Sequence, residues 1–167
     1  MPKFGETKIG QLVLFAKQSQ NLFLIKQLVE LSKDKIKNLI KQKRIDALCY
    51  IPHIIPRKIQ FLKEYQRLLN LQLPQVPLIK IYENRLLVPQ KSLTSLEDRI
   101  INARETIYIK EITGQFKNIL LIDDAVGSGA SMNETAKKIK RQINKNSKIF
   151  GFALVGSLKG FDIIKEI

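Results

Sequence analysis

The sequence predicts an α/β domain with a doubly wound, mostly parallel sheet and an N-terminal helical segment. Three observations carry that prediction. The runs Ala47–Ile51, Ile119–Ile122 and Lys148–Gly156 are apolar with little polar alternation, as expected of strands buried on both faces of a parallel sheet. Stretches with helical spacing of apolar residues separate them. The run Ile119–Ile122 then meets two adjacent acids and a loop of small residues, a suitable arrangement for the ligand end of an open sheet.

Composition bounds the answer. A chain of 167 residues with 44% hydrophobic content is one globular domain by expectation, spanning 1–167 as a helical lead-in (1–45) and an α/β core (46–167). Lys and Arg number 29 against 15 Asp and Glu, a net charge of +14 that fits anionic partners, nucleic acid or phosphorylated metabolites, and equally a lysine-rich solvated surface. One cysteine excludes an internal disulfide, and with one histidine it leaves no soft-ligand zinc site. The start Met1-Pro-Lys-Phe-Gly-Glu6 has no apolar core behind it, and no apolar run is long enough to span a bilayer, so a soluble cytoplasmic protein is expected.

In order along the chain, Ile9, Leu12, Val13 and Ala16 make a short helical face ending near Lys17. Asn21 suits the N-cap of a longer helix with Leu24, Ile25, Leu28 and Val29 on one side, and Ser32 or Asp34 reads as a second start leading to Ile36, Leu39 and Ile40. The opposite face carries Lys33, Lys35, Lys37, Lys41, Lys43 and Arg44, which suits a nucleic-acid backbone or a solvated helix surface. The first strand, Ala47–Ile51, stops at Pro52, with Cys49 as a buried small hydrophobe. The loop through Lys58 offers His53, Arg57 and Lys58 as donors and charge. Gln60–Leu71 is an amphipathic helix, Val76–Tyr82 a strand, Thr94 or Ser95 the cap of a helical turn through Asn102, and Thr106–Lys110 a further strand.

The most informative stretch is Ile119-Leu-Leu-Ile-Asp-Asp-Ala-Val-Gly-Ser-Gly-Ala-Ser131, with Met132–Lys140 as the next helix. Here Asp123 and Asp124 close a buried strand. They suit vicinal ribose hydroxyls or a hydrated magnesium ion. In Gly127-Ser-Gly-Ala-Ser131 small side chains let a ligand approach the backbone, and loop N–H groups, the following helix N-terminus and the Ser128 and Ser131 hydroxyls can hold a phosphate. Strand, acid pair and loop describe a sugar-phosphate site. A P-loop is excluded because no G-x-x-x-x-G-K-[ST] stretch exists, and Gly127-Ser-Gly129 lacks the third glycine of a dinucleotide fingerprint.

Ile119–Ser131 resembles the phosphoribosyl-pyrophosphate (PRPP) motif of type I phosphoribosyltransferases, with Gly127, Ser128 and Ser131 where threonines are common. Arg85-Leu-Leu-Val-Pro-Gln-Lys-Ser-Leu93, then Arg99-Ile-Ile-Asn102, is similar to a segment of the ComF/GntX-like, competence-associated branch. Leu12–Lys17 is placed like that branch's helix ending in an apolar-Lys step. The sequence departs from the branch in lacking a four-cysteine zinc module, in having Arg57-Lys-Ile-Gln60 for an Arg-Gly-Phe-Asn-Gln stretch, and in Leu87 for a threonine.

The resemblance implies a type I phosphoribosyltransferase fold that binds PRPP and Mg2+ and transfers phosphoribosyl to a nitrogenous acceptor, releasing pyrophosphate: a glycosyltransferase of the pentosyl class. Asp123 and Asp124 would be catalytic and hold the ribose, with any Mg2+ arriving through the substrate. Ala125, Val126, Gly127, Ser128, Gly129, Ala130 and Ser131 would hold the 5′-phosphate. His53, Arg57, Lys58, Arg85, Lys91 and Arg99 would form the pyrophosphate side. A homodimer is a further expectation. Two other readings keep the pocket without turnover: a competence protein binding single-stranded DNA during DNA uptake, and a PRPP-sensing regulator.

Overall fold

The computed structural model describes residues 7–53, 57–81, 93, 95–111 and 114–156. Two helices open the chain, α1 (Lys8–Ser19) and α2 (Leu22–Lys43). Thr7 caps α1, its Oγ1 accepting from the Gly10 N–H at 3.1 Å. Asn21 caps α2 as the sequence predicts, with Oδ1 accepting from the N–H groups of Phe23 and Leu24. The expected second start near Ser32 does not occur. Ile25, Leu28, Val29, Ser32 and Ile36 continue one buried stripe, and the Ser32 hydroxyl bonds back to the Leu28 carbonyl instead of breaking the helix.

Next come β1 (Ala47–Tyr50), α3 (Phe61–Leu69), β2 (Gln75–Val76), β3 (Leu78–Lys80), α4 (Leu96–Thr106), β4 (Ile107–Ile109), β5 (Asn118–Val126), α5 (Ala130–Gln142) and β6 (Lys148–Gly156). The main sheet has the order β2-β1-β5-β6, and every pairing in it is parallel. Its helices lie on both faces. Leu48, Leu120 and Ile122 pack with the buried residues of α1, α2 and α3, whereas Ala47, Cys49, Ile119 and Leu121 pack with Ile139 of α5. Each strand therefore needs apolar residues at successive positions, which explains the unbroken runs in the sequence.

The expected strand 76–82 divides at Pro77. Val76 pairs with β1, while Leu78–Lys80 pairs antiparallel with β4 in a separate two-stranded sheet. Proline donates no ladder hydrogen bond, so it suits the change of partner. Among the described residues, no helix is long and apolar enough to cross a membrane.

Two features place the strand that carries the acids. Both carboxylate oxygens of Asp46 accept backbone N–H groups at the entry to β5, from Lys117 at 2.8 Å and Asn118 at 2.9 Å. Four consecutive residues of β5, Ile119–Ile122, are essentially without exposure. Burial of each such side chain stabilises by about 1.5–3 kcal/mol, so the strand's position is strongly determined.

Candidate functional site

Successive connections leave β1 in opposite directions. The chain passes from β1 through α3 to β2 on one side, and β5 lies against the other side of β1. This is a topological switch point, where the loops after β1 and β5 diverge and leave a crevice beyond the strand ends. The loop after β5 carries the glycines, and the loop after β1 carries His53, Arg57 and Lys58.

The acid pair sits where one ladder ends and the other continues. Pairing of β1 with β5 runs to Tyr50–Ile122, with one further bond from the Ile51 N–H to the Ile122 carbonyl. Pairing of β5 with β6 continues through Asp123–Ala153 to Val126–Gly156. The sequence places Asp123 and Asp124 at the end of the strand; they lie inside a longer strand whose β1 edge has become open. Ala125 and Val126 correspondingly belong to β5, and Ala130 and Ser131 to the first turn of α5.

Strand alternation separates the two carboxylates. Asp124 continues the Leu120–Ile122 side facing the first three helices, and Asp123 continues the Ile119–Leu121 side facing α5. Asp123 Oδ1 accepts the Asp124 N–H at 2.8 Å. Burial, together with the neighbouring Asp124 charge, holds the Asp123 carboxyl well above the usual carboxylate range; Lys17 and Lys80 act in the opposite sense. Lys80, on β3, is itself lowered to about 8, mainly by burial.

Asp124 is only 5% exposed. The Lys17 ammonium lies 2.8 Å from its Oδ2, and the His53 Nδ1 lies 3.9 Å from the same oxygen. Among the described residues no donor is aligned for a hydrogen bond to that oxygen, so its lone pairs can accept from a ligand hydroxyl.

His53 has one ring nitrogen engaged within the fold. Its Nε2 accepts the Leu62 N–H at 2.9 Å, capping the first turn of α3, where Gln60 supplies no side-chain cap. The neutral ring must therefore carry its proton on Nδ1, the nitrogen nearer Asp124. Burial lowers the His53 pKa, with Asp124 opposing.

The seven residues expected to hold a 5′-phosphate are divided among the end of β5, a short loop and the first turn of α5. Gly127–Gly129 forms the turn, and Gly129, at φ 76°, is the N-cap of α5. The N-cap Gly129 has no side chain to cap α5, the Ala130 N–H makes only a long bond to the Ser128 Oγ, and the first turn contains no acid, so the positive dipole end of the helix suits an anion. Ser128 is buried, its Oγ only 3.5 Å from the Ala130 N–H, and Ser131 is half-buried.

The pyrophosphate-side residues are not all brought together. Arg57 donates to the Lys17 carbonyl at the end of α1, Lys58 is exposed beside it, and Arg99 donates to the Leu93 carbonyl at 2.9 Å. Arg85 and Lys91 lie outside the described residues, as does Leu87. The site also includes two lysines without a predicted role. Lys17 was visible as the end of a helical pattern and as the lysine of the apolar-Lys step, with no ligand role attached, and Lys80 had no signal in a short strand distant from the motif.

Fold and site together define a type I phosphoribosyltransferase-like protein. The chain matches the PRTase-CE family model over residues 9–167, and it belongs to that family. The competence-associated branch is not part of this finding. No curated protein gives a significant match. A crystal structure of an adenine phosphoribosyltransferase is similar in fold, with a TM-score of 0.53 at 14% identity, covering 89% of this chain and 78% of that one.

Proposed function

We propose that the crevice beyond β1 and β5 binds PRPP and supports phosphoribosyl transfer to a nitrogenous acceptor. The observation that carries this reading is the buried Asp124 Oδ2, ion-paired to Lys17 without an aligned hydrogen bond, on the strand that leads directly into the N-terminus of α5. Acceptor and donors then stand in the order in which a ribose 5-phosphate presents hydroxyls and phosphate. Asp123 and Asp124 take the ribose hydroxyls, and Gly127–Ser131 takes the 5′-phosphate. Catalysis would rest on positioning and on cationic stabilisation of the departing pyrophosphate.

Magnesium fits this site only as a companion of the substrate. Among the described residues no three His, Cys, Asp or Glu side chains converge to hold a metal, and Asp124 already faces an ammonium. Mg2+ held by the pyrophosphate would neutralise leaving-group charge, with the aspartates as auxiliary oxygen donors.

Calorimetric titration of PRPP with Mg2+ into the unaltered chain and into Asp123→Asn/Asp124→Asn tests the reading. Saturable binding that disappears in the variant, with the fold retained, is expected. Equal affinity in the two proteins would remove the aspartates from the site.

A second reading is favoured by one observation. Lys35, Lys37, Lys41, Lys43 and Arg44 are exposed on or just beyond the C-terminal half of α2, and this concentration of positive charge suits a single-stranded DNA backbone in a ComF-like protein whose PRPP pocket does not turn over. DNA affinity falling steeply with salt would support it. A cytoplasmic homodimer accompanies both readings, and sedimentation tests the dimer.

A further inference from the structure

Lys17 reaches the acid pair from outside the sheet. It stands in the last turn of α1, and that helix end is seated on the loop after β1 by two contacts. Arg57 donates to the Lys17 carbonyl, and the Ile59 N–H donates to Gln20 Oε1 at 2.9 Å. The first is a favourable use of a guanidinium at a helix C-terminus. The helix that brings Lys17 is thus fixed to one wall of the crevice, while the lysine side chain crosses to Asp124 on the other.

The ion pair is asymmetric. The Asp124 side chain is 7% exposed and the Lys17 side chain 28% exposed, so the ammonium stands at the mouth and the carboxylate behind it. A buried carboxylate without a cation is costly, which explains the pairing before ligand arrives. The contact is also exchangeable, because the ammonium is a point charge on a flexible four-carbon stem and is not aligned on its acceptor. A ligand hydroxyl can donate to Asp124 Oδ2 as the ammonium turns to an anion of the same ligand, leaving no group unpaired. On the PRPP reading the 5′-phosphate is served by Gly127–Ser131, so the anion left for Lys17 is the pyrophosphate on C1.

We propose that Lys17 is a pyrophosphate-binding residue supplied by the N-terminal helix, its ammonium passing from Asp124 to the ligand as a ligand hydroxyl takes its place. This deepens the PRPP reading and rests on it. The helical lead-in is then part of the binding site.

The test compares Lys17→Met with the unaltered chain for PRPP and for ribose 5-phosphate, which lacks the pyrophosphate. Loss of one charge-assisted contact predicts about tenfold or more weaker PRPP binding, with a much smaller change for ribose 5-phosphate. A variant that binds PRPP equally or more tightly overturns the proposal, because the ammonium is then only a counter-ion. Equal losses for both ligands also overturn it, since they indicate a disturbed acid pair.

Lys17→Met leaves a buried carboxylate unpaired, so a second measurement uses the unaltered chain. Amine-reactive labelling of Lys17 should fall at saturating PRPP. Unchanged or increased labelling would mean that the displaced ammonium goes to solvent, against the proposal. Failure of the unaltered chain to bind PRPP at all removes the underlying reading; binding that is indifferent to Lys17 removes this inference alone.

Discussion

Gly127 and Gly129 stand two residues apart in the loop proposed to hold the 5′-phosphate, and the structure predicts opposite consequences for replacing them. A Cβ on Gly127 would meet nothing within 4 Å, and its backbone is not in the left-handed region. Gly129 has φ 76°, where a side chain is strained whatever space surrounds it. Gly129→Ala should therefore cost about 1–2 kcal/mol of stability. For a chain of this length that is a fall in Tm of roughly 2–8 °C. Gly127→Val should alter stability by no more than about 0.5 kcal/mol. It places an isopropyl group in open space beside the loop, where the proposed phosphate would lie. If two charge-assisted hydrogen bonds to phosphate are lost, at about 1.5–3 kcal/mol each, affinity falls by about a hundredfold or more. Thermal unfolding and calorimetric titration of PRPP, made on the same preparations, separate the two effects. Gly127→Val with unchanged Tm and unchanged affinity would refute the loop as a phosphate site.

Three further outcomes follow from the packing and the charges. Tyr65 is fully buried with its hydroxyl on Ser32, so Ser32→Ala, which orphans that hydroxyl, should cost about 1–3 kcal/mol and more than Tyr65→Phe, by urea denaturation. Asp123, raised above its ordinary value of 3.8, holds its proton more tightly folded than unfolded; this contribution is present at low pH and is lost as pH rises from that value through the folded pKa. Asp123→Asn should therefore stabilise the ligand-free protein at pH 7 and flatten the stability profile above pH 4, and a variant less stable at pH 7 would contradict the assignment. Asp46→Ala removes two backbone hydrogen bonds at the entry to β5 and should cost about 2 kcal/mol, read by the same denaturation.

Legibility in the sequence followed the range of the interactions concerned. Strands β1, β5 and β6 were readable because burial on both faces demands continuous apolar runs, and Asn21 was readable because capping is local. The continuity of α2 through Ser32 was not, since a serine that bonds its own helix carbonyl looks like one that starts a new helix. Division at Pro77 required knowing which partner strand lay on each side.

At the candidate site, the motif singled out Asp123, Asp124 and the glycines, whose proposed chemistry lies within a few consecutive residues. It did not announce that alternation turns the two acids to opposite faces. Nor did it give the partners: Lys17 precedes Asp124 by more than a hundred residues and meets it only through the packing of α1 beside the crevice. His53, expected to offer a donor to pyrophosphate, can do so only through Nδ1, because its Nε2 accepts an α3 N–H, a partner fixed by the tertiary path of the loop.

The most direct test of the central claim is a crystal structure of the chain with PRPP and Mg2+. The account predicts the 5′-phosphate within hydrogen-bond distance of the N–H groups at Gly127–Ser131, with a ribose hydroxyl on Asp124 Oδ2. A ligand bound elsewhere, or a 5′-phosphate away from the α5 N-terminus, would contradict it.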